Sequence, residues 1–257
     1  MLKRHAAILF SVGFLGLFSY FGCARATAPL PPAEEVVLVV NRDDATLQII
    51  PVDAPSSSNT IQLSGTNPAP AGVSALDGTA LVPLGTGDAV AVIDLRSKSV
   101  TRVTPLASGS GATGSAMVDD TVGYVANPNL NTVTRVNYLT GDTASVGVGI
   151  YPQAVVFTRG KVFVLNGNLS AGKPVGPSWL SVVDPLTNRL ATGLDSILMP
   201  GPGNALSGDV AQDGVLYVMN AGPFDTTTQG RLTLVDPVGR SELGNFGGFG
   251  NFPGALA

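Results

Sequence analysis

The chain has 257 residues, of which 12% are charged and 44% are hydrophobic, and its formal net charge at pH 7 is −4. Its single histidine, His5, and its single cysteine, Cys23, both lie near the amino terminus. The rest of the chain therefore lacks disulfides, thiol catalysis, a histidine base and Cys/His metal sites. No cofactor is predicted, since haem and iron–sulfur clusters need His or Cys ligands. The mild acidity also predicts no nucleic-acid binding, which needs clustered Lys and Arg.

The first predicted element is an export signal. Lys3 and Arg4 precede an uncharged apolar run at residues 6–22, about the length of a signal-peptide core. The Gly-Cys pair that ends this run resembles a bacterial lipobox, which would make Cys23 a lipidated first residue. Cleavage after Ala26 by an ordinary secretory route and a retained membrane anchor are the alternatives. We predict lipidation, because the only cysteine of the chain closes the apolar run.

The predicted domain organisation has three parts. Residues 1–23 form the leader, residues 24–34 form a Pro-rich tether, and residues 35–257 form a repetitive domain. That domain shows no sustained helical periodicity. Short alternating apolar runs bounded by Gly, Pro, Asn and Asp occur throughout it, which is typical of β-strands. The predicted fold class is all-β.

One phrase recurs along this domain: an apolar strand ending in Asn, a polar loop, and a second apolar strand ending in Asp or Asn. The first strands end at Asn41, Asn127, Asn166 and Asn220, and the second strands end at Asp53, Asp94, Asn137, Asp184 and Asp236. With a strand before and a strand after, each unit contains four strands. Repetition at roughly 40–50 residues is typical of a β-propeller built blade by blade. The recurring Asn and Asp are interpreted as structural, since they can bond backbone amides where strands end.

The phrases ending at Asn127 and Asn220 read Tyr-Val-Ala-Asn and Tyr-Val-Met-Asn. Together with the sequence of residues 131–141, they resemble the YVTN-type β-propeller repeat of secreted and surface-layer proteins of bacteria and archaea. The resemblance runs from about residue 35 onward and is weakest in the second unit, where Leu84 and Gly85 replace the Asn. It implies a propeller in an extracytoplasmic setting, and it carries no catalytic motif to transfer.

The order of the units predicts how the ring is completed. The chain enters at the second strand of a unit and passes through four further units. Residues 252–257 resemble residues 151–156, which open a first strand. We therefore predict about five four-stranded blades, with the first blade completed by strands from both ends of the domain. The alternative is a truncated larger propeller.

Two of the loops after the recurring Asn are longer than the others. Residues 167–178 and 221–230 each insert about eight extra residues, in adjacent units, where loops on a rigid scaffold carry recognition. We predict that they lie side by side and bind a partner. The candidate binding residues are Asn168, Trp179, Phe224 and Asp225. Trp179 has a second interpretation as packing between blades, and the Gly-rich run 244–252 is interpreted as a connector or as a third adaptable element.

The predicted function is a non-catalytic binding or scaffolding module at the cell envelope. Its expected partner is a protein or glycan of the envelope, and a lipid anchor would attach it to the membrane. The expected location is that of an outer-membrane lipoprotein, with a periplasmic or secreted protein as the alternative. No catalytic or metal-binding residue is predicted. A fragment without activity of its own is a third possibility.

The alternative function is a lactonase-like or metal-dependent hydrolase that uses carboxylates around the propeller channel. Its candidate residues are Asp43, Asp44, Asp88, Asp209 and Asp225. None of them lies in the Asp-x-Asp-x-Asp-Gly spacing of a calcium loop.

Overall fold

The computed structural model describes residues 35–251 and 253–256, so the leader, Cys23 and the Pro-rich tether lie outside the described residues. The described residues form 22 β-strands and two short 3-10 helices, Pro55–Ser57 and Pro128–Leu130. In this described part, no helix has the length and apolar character needed to cross a membrane. The prediction of an all-β domain is confirmed.

Twenty of the strands form five antiparallel sheets that follow one another along the chain, and the other two form a separate hairpin. The first sheet contains β1 (Val36–Asn41), β2 (Thr46–Pro51) and β3 (Asn59–Gln62). The second contains β4 (Ser74–Leu76), β5 (Thr79–Pro83), β6 (Ala89–Asp94) and β7 (Ser99–Pro105). The third contains β8 (Ser115–Met117), β9 (Val122–Asn127), β10 (Thr132–Asn137) and β11 (Thr143–Gly147).

The fourth sheet is interrupted by a small hairpin. Its strands are β12 (Pro152–Thr158), β13 (Lys161–Asn166), β16 (Ser178–Asp184), β17 (Arg189–Leu190) and β18 (Ser196–Met199), and the separate hairpin consists of β14 (Leu169–Ser170) and β15 (Lys173–Pro174). Both β17 and β18 pair with β16, so together they take the place of the fourth strand of this sheet. The fifth sheet contains β19 (Ala205–Val210), β20 (Leu216–Asn220), β21 (Arg231–Asp236) and β22 (Ser241–Phe246).

Two-residue turns join the first two strands of the second and fourth sheets. Between β4 and β5, Asp77 and Gly78 have φ values of +47° and +87°. Arg159 and Gly160 have φ values of +49° and +71° between β12 and β13. A two-residue hairpin turn whose twist matches that of the flanking strands requires positive φ at both central residues.

The second strands of the recurring phrase are the third strands of the sheets. The Asp and Asn residues at their ends accept hydrogen bonds from backbone amides, which ends the strands. Asp94 Oδ1 accepts bonds from the backbone amides of Arg96 and Ser97, both at 2.8 Å. Asn137 Oδ1 accepts bonds from the amides of Leu139 and Thr140, both at 3.0 Å. The structural interpretation of these residues is confirmed.

The Asn residues at the ends of the second strands of the sheets make other hydrogen bonds than those predicted. Asn127 Nδ2 donates to Thr134 Oγ1 at 2.7 Å, and Asn166 Nδ2 donates to Ser181 Oγ at 3.0 Å. Each bond joins the second strand of a sheet to its third strand, and the Asn side chain that makes it is buried. The expectation that these residues bond neighbouring backbone amides was therefore wrong, while their structural role stands.

The apolar core consists of four clusters, and each is shared by two consecutive sheets. In β13, Val162 and Val164 pack against the third sheet, whereas Phe163 and Leu165 pack against the fifth. Alternate residues of one strand thus enter two different clusters, because side chains alternate across a strand. This explains why the inner strands are apolar on both faces.

One common channel of about 550 Å³ is lined by the first strands of the third to fifth sheets and by residues 71–73, which precede β4. Sheets arranged in this radial way form a β-propeller of five sheets. The prediction that residues 252–257 complete the first sheet is not met in the described residues: residues 253–256 form no strand, and the first sheet has three strands rather than four. This segment lies against β19, where the Leu256 amide donates to Ser207 Oγ at 3.1 Å.

Candidate binding site

The two long loops are anchored on the ends of buried strands. The first, residues 167–178, joins β13 to β16 and contains the β14–β15 hairpin. The second, residues 221–230, joins β20 to β21. Because the strands beneath them belong to the shared core, both loops start and end on rigid positions.

The buried residue Asn204 forms hydrogen bonds with both loops. Its backbone amide donates to Gly167 O at 2.7 Å, and its carbonyl accepts from the Ala221 amide at 2.9 Å. Its side-chain Nδ2 donates to Gly222 O at 2.8 Å. Asn204 has a φ of +73°, which Asn tolerates better than most residues. The prediction that the loops lie side by side is confirmed through this residue.

Asn168 and Trp179 occupy the two ends of the first loop. Asn168 Nδ2 donates to Pro177 O at 2.9 Å, so its side chain closes the loop on itself. Trp179 is partly buried, and a Cβ added at Gly149 would meet its indole ring at 2.5 Å. Gly149 precedes the fourth sheet, so this contact favours packing between the third and fourth sheets as one role of Trp179.

Phe224 and Asp225 lie at the tip of the second loop. The side chain of Phe224 is 44% exposed. Asp225 Oδ1 accepts from the backbone amides of Thr227 at 2.8 Å and Thr228 at 2.5 Å. The amide of Thr228, followed by that of Thr227, lowers the pKa of the Asp225 carboxyl. The Asp225 carboxylate therefore stabilises the shape of the loop through these hydrogen bonds, while the Phe224 ring presents apolar surface.

The Gly-rich run after β22 is fastened to the second loop. The Gly230 amide donates to Gly250 O at 2.7 Å, and Asn251 Nδ2 donates to Thr226 O at 2.8 Å. Phe249 is 41% exposed on this run. The run is therefore a connector that also contributes to the loop surface.

Two features of this surface were not predicted from the sequence. The β14–β15 hairpin had a local signal, since Ala171 and Gly172 form its turn with φ values of +47° and +75°. Asn204 had no such signal, because its partners lie on two other loops of the chain.

The channel carries no carboxylate among its described lining residues. The side chains that face it are small or uncharged: Ala71, Gly72, Val73, Thr113, Gly114, Ser115, Gln153, Ala154, Val155, Leu206, Ser207, Gly208 and Ala255. Its polar groups are already bonded to the protein; Thr113 Oγ1, for example, donates to Gln153 O at 2.9 Å.

The candidate hydrolytic carboxylates are dispersed. Asp43 and Asp44 lie in the exposed β1–β2 turn, Asp209 lies on β19, and Asp225 lies in the second loop. Asp88 accepts from the Gly109 amide at 2.7 Å and from Ser110 Oγ at 3.0 Å, and the Gly109 bond lowers its pKa. Across residues 35–251 and 253–256, no group of three or more His, Cys, Asp or Glu is arranged to hold a metal ion.

No family model and no curated protein matches this sequence. Several solved structures share the fold. Hydrazine synthase of Kuenenia stuttgartiensis matches with a TM-score of 0.60 and 17% identity, over 72% of this chain and 51% of that chain. A streptogramin B lyase matches with a TM-score of 0.62 and 10% identity, over 84% and 70% of the two chains.

Virginiamycin B lyase from Staphylococcus aureus matches with a TM-score of 0.60 and 10% identity, over 80% of this chain and 64% of that chain. This chain spans 51% of the length of the hydrazine synthase chain, or about half of it. At such low identities the likeness shows the fold alone. The chain is an all-β protein with the β-propeller fold.

Proposed function

We propose that the chain is an exported, lipid-anchored β-propeller that binds a protein or glycan of the cell envelope without catalysis. The leader and Cys23 support the export and anchoring, and the YVTN-type resemblance supports an extracytoplasmic setting. The two long loops supply the binding surface, with Asn168, Trp179, Phe224 and Asp225 as its contact or shaping residues.

The observation that carries this proposal is the locking of the two long loops through Asn204. Holding two insertions in one fixed arrangement reduces the conformational entropy that a partner must remove on binding. An exposed aromatic ring such as Phe224 on a fixed loop is suited to making contact with a partner.

The hydrolase alternative has less support. Its candidate carboxylates do not meet in the described structure, and the channel they were expected to line is uncharged. Asp88 is occupied by a bond from the distant loop at Gly109, and Asp225 is occupied by bonds within its own loop. A binding role therefore accounts for the arrangement better than hydrolysis does.

A loop graft tests the proposal. Residues 168–177 and 223–229 are each replaced by the short sequence Pro-Asn-Leu-Asn of residues 128–131, which retains the Gly167, Ala221 and Gly222 contacts of Asn204. Binding to envelope fragments from the organism that encodes the chain is measured by co-sedimentation. The graft is expected to weaken binding by at least about tenfold, because the contact surface is removed.

The control is Leu186→Ser. Leu186 is 93% exposed in the β16–β17 turn, at the opposite end of β16 from the first loop, so this variant should bind normally. Pretreating the fragments with protease or with periodate shows whether the partner is a protein or a glycan. Unchanged binding by a folded graft would show that the loops are not the binding surface.

A further inference from the structure

Three exposed apolar side chains occupy the same position in three consecutive sheets. Leu139, Leu186 and Val238 each come two residues after the Asn or Asp that ends the third strand of the third, fourth or fifth sheet. Their side chains are 60%, 93% and 71% exposed. A single exposed apolar residue is ordinary on a protein surface, whereas a row repeated in neighbouring sheets indicates an interaction surface.

The same hydrogen bond holds each of these three residues. In each turn, the backbone amide of the apolar residue donates to the Oδ1 atom of the strand-ending residue two positions earlier, at 3.0, 3.0 and 2.8 Å in chain order. The three turns therefore have a common local shape, and each presents its apolar side chain to the outside.

Hydrogen bonds also join these turns to their neighbours. Tyr124 OH, in the third sheet, donates to Asn188 Oδ1 in the turn of the fourth sheet at 2.9 Å. Arg240 Nη1, in the turn of the fifth sheet, donates at 2.9 Å to the carbonyl of Leu194, which follows β17 in the fourth sheet. The side chain of Leu194 is 58% exposed. We call the surface made by these side chains the apolar face; it consists of Leu139, Leu186, Leu194 and Val238.

The chain enters the described domain at the end where the apolar face lies. Asn41 ends β1 and Asp53 follows β2, so β1 and β2 correspond to the second and third strands of the other sheets. The carbonyl of Glu35, the first described residue, accepts from the Val52 amide at 2.9 Å, next to the end of β2. Second strands run from this end toward the long loops, so Glu35 and the loops lie at opposite ends of the sheets.

This entry point places a limit on the reach of the proposed lipid anchor. Cys23 lies 12 positions before Glu35. Covalent geometry limits the distance between the two residues to about 40 Å. One lipid chain alone gives only marginal membrane binding, and stable anchoring needs a second signal. An apolar face at the attached end of the domain can supply that signal.

Two exposed arginines border the apolar face. Arg96 occupies, in the turn of the second sheet, the position that is apolar in the next three sheets. Arg189 follows the turn of the fourth sheet. A guanidinium group at the edge of an apolar surface can bond the phosphates of lipid headgroups.

We propose that the apolar face inserts into the headgroup region of the bilayer to which Cys23 is anchored, and that the two long loops point away from this membrane. This inference rests on the lipid anchoring in the proposed function and names the surface that meets the lipid. Since the loops lie at the other end of the sheets, they stay free to bind a partner. A change of one side chain, such as Leu186→Ser, leaves the anchor and the loops in place, so binding of the partner does not depend on it.

Fluorescence quenching by lipids tests the proposal. The full-length lipidated protein carries Val238→Cys and is labelled with a thiol-reactive nitrobenzoxadiazole probe. The lipid on Cys23 occupies the only native thiol, so the probe reacts at the introduced cysteine. The matched control is Val175→Cys, since Val175 is the same residue type, is 60% exposed and lies in the first long loop. Both proteins are reconstituted into vesicles of phosphatidylethanolamine and phosphatidylglycerol that contain a nitroxide-labelled lipid.

Quenching of the probe at position 238 is expected to be at least about threefold stronger than at position 175, because only the first probe reaches the lipid. Equal quenching at the two positions would overturn the inference, and intact mass showing the lipid would leave the anchoring itself in place. A blue-shifted emission at position 238 without quenching would also overturn it, because a second copy of the chain would then cover the face. Protein without lipid would overturn the anchoring and this inference together.

Discussion

Gln153 Nε2 donates a hydrogen bond to Asn204 Oδ1 at 2.9 Å, across the boundary between the fourth and fifth sheets. The same Asn204 side chain donates to Gly222 O through Nδ2 at 2.8 Å. Both ends of one buried amide are therefore used, one toward a neighbouring sheet and the other toward a loop. The position of the loop surface depends on this residue.

Replacing Asn204 with Ala is expected to destabilise the protein. The change removes the hydrogen bonds to the buried Gly222 carbonyl and from Gln153 Nε2 and places an Ala at a positive φ, at a cost of about 2–4 kcal/mol. Urea unfolding measures the effect. Asn67→Ala is the control, since Asn67 has a φ of +47° but is exposed, and it should cost less than about 1 kcal/mol. Equal losses in the two variants would show that the buried hydrogen bonds contribute nothing.

Gly149→Ala is expected to displace the indole of Trp179. An added Cβ would lie 2.5 Å from the ring, and the resulting overpacking should cost about 1–3 kcal/mol. Trp179 is the only Trp in the chain, so its fluorescence reports the change directly, as a red shift on greater exposure. Gly147→Ala is the matched control, because a Cβ there meets nothing within 4 Å. An unshifted emission maximum in Gly149→Ala would rule out the packing contact.

Stability is expected to fall in acid in part through Asp88. The Gly109 amide is the largest cause that holds the pKa of its carboxyl below the ordinary value of 3.8 in the folded protein. A lowered folded pKa stabilises the protein above the unfolded pKa, and this contribution is lost as the pH falls through the folded pKa. Asp88→Asn should therefore be less stable than the wild type at pH 7 and show a smaller loss on acidification below about pH 4. Thermal melts at a series of pH values measure this, and parallel curves for the two proteins would contradict it.

Acylation of Cys23 is expected to be visible by intact mass. The membrane-extracted protein should begin at Cys23 and carry additional lipid mass, and it should partition into detergent. Cys23→Ser should remove the lipid mass and release the protein from the membrane fraction. A mature protein that begins at Thr27 without lipid would show ordinary secretory cleavage instead.

Local features of the fold were predictable from the sequence. Hairpins such as Asp77-Gly78 need particular residues at positive φ, and those residues stand at the expected positions. Strand ends marked by Asp94 or Asn137 follow the same logic, since the side chain bonds amides two or three residues later. Such features depend only on residues that are close together in the sequence.

Longer-range features were not predictable in this way. Asp88 bonds the loop at Gly109 and Ser110, and Asn204 bonds two separate loops, because the sheets bring distant residues together. The side-by-side position of the long loops was predictable from the order of the repeats, whereas the residue that joins them was not. The place of residues 253–256 beside β19 likewise depends on packing around the channel.

The sharing of each apolar cluster by two sheets has a consequence for how the protein can be divided. The buried face of β13 toward the third sheet belongs to one cluster, and its face toward the fifth sheet belongs to another. Excising any internal sheet would leave half a cluster open to water on both sides. The smallest piece able to hold an intact cluster is a pair of neighbours, so excisions that keep such pairs whole should give the most soluble fragments.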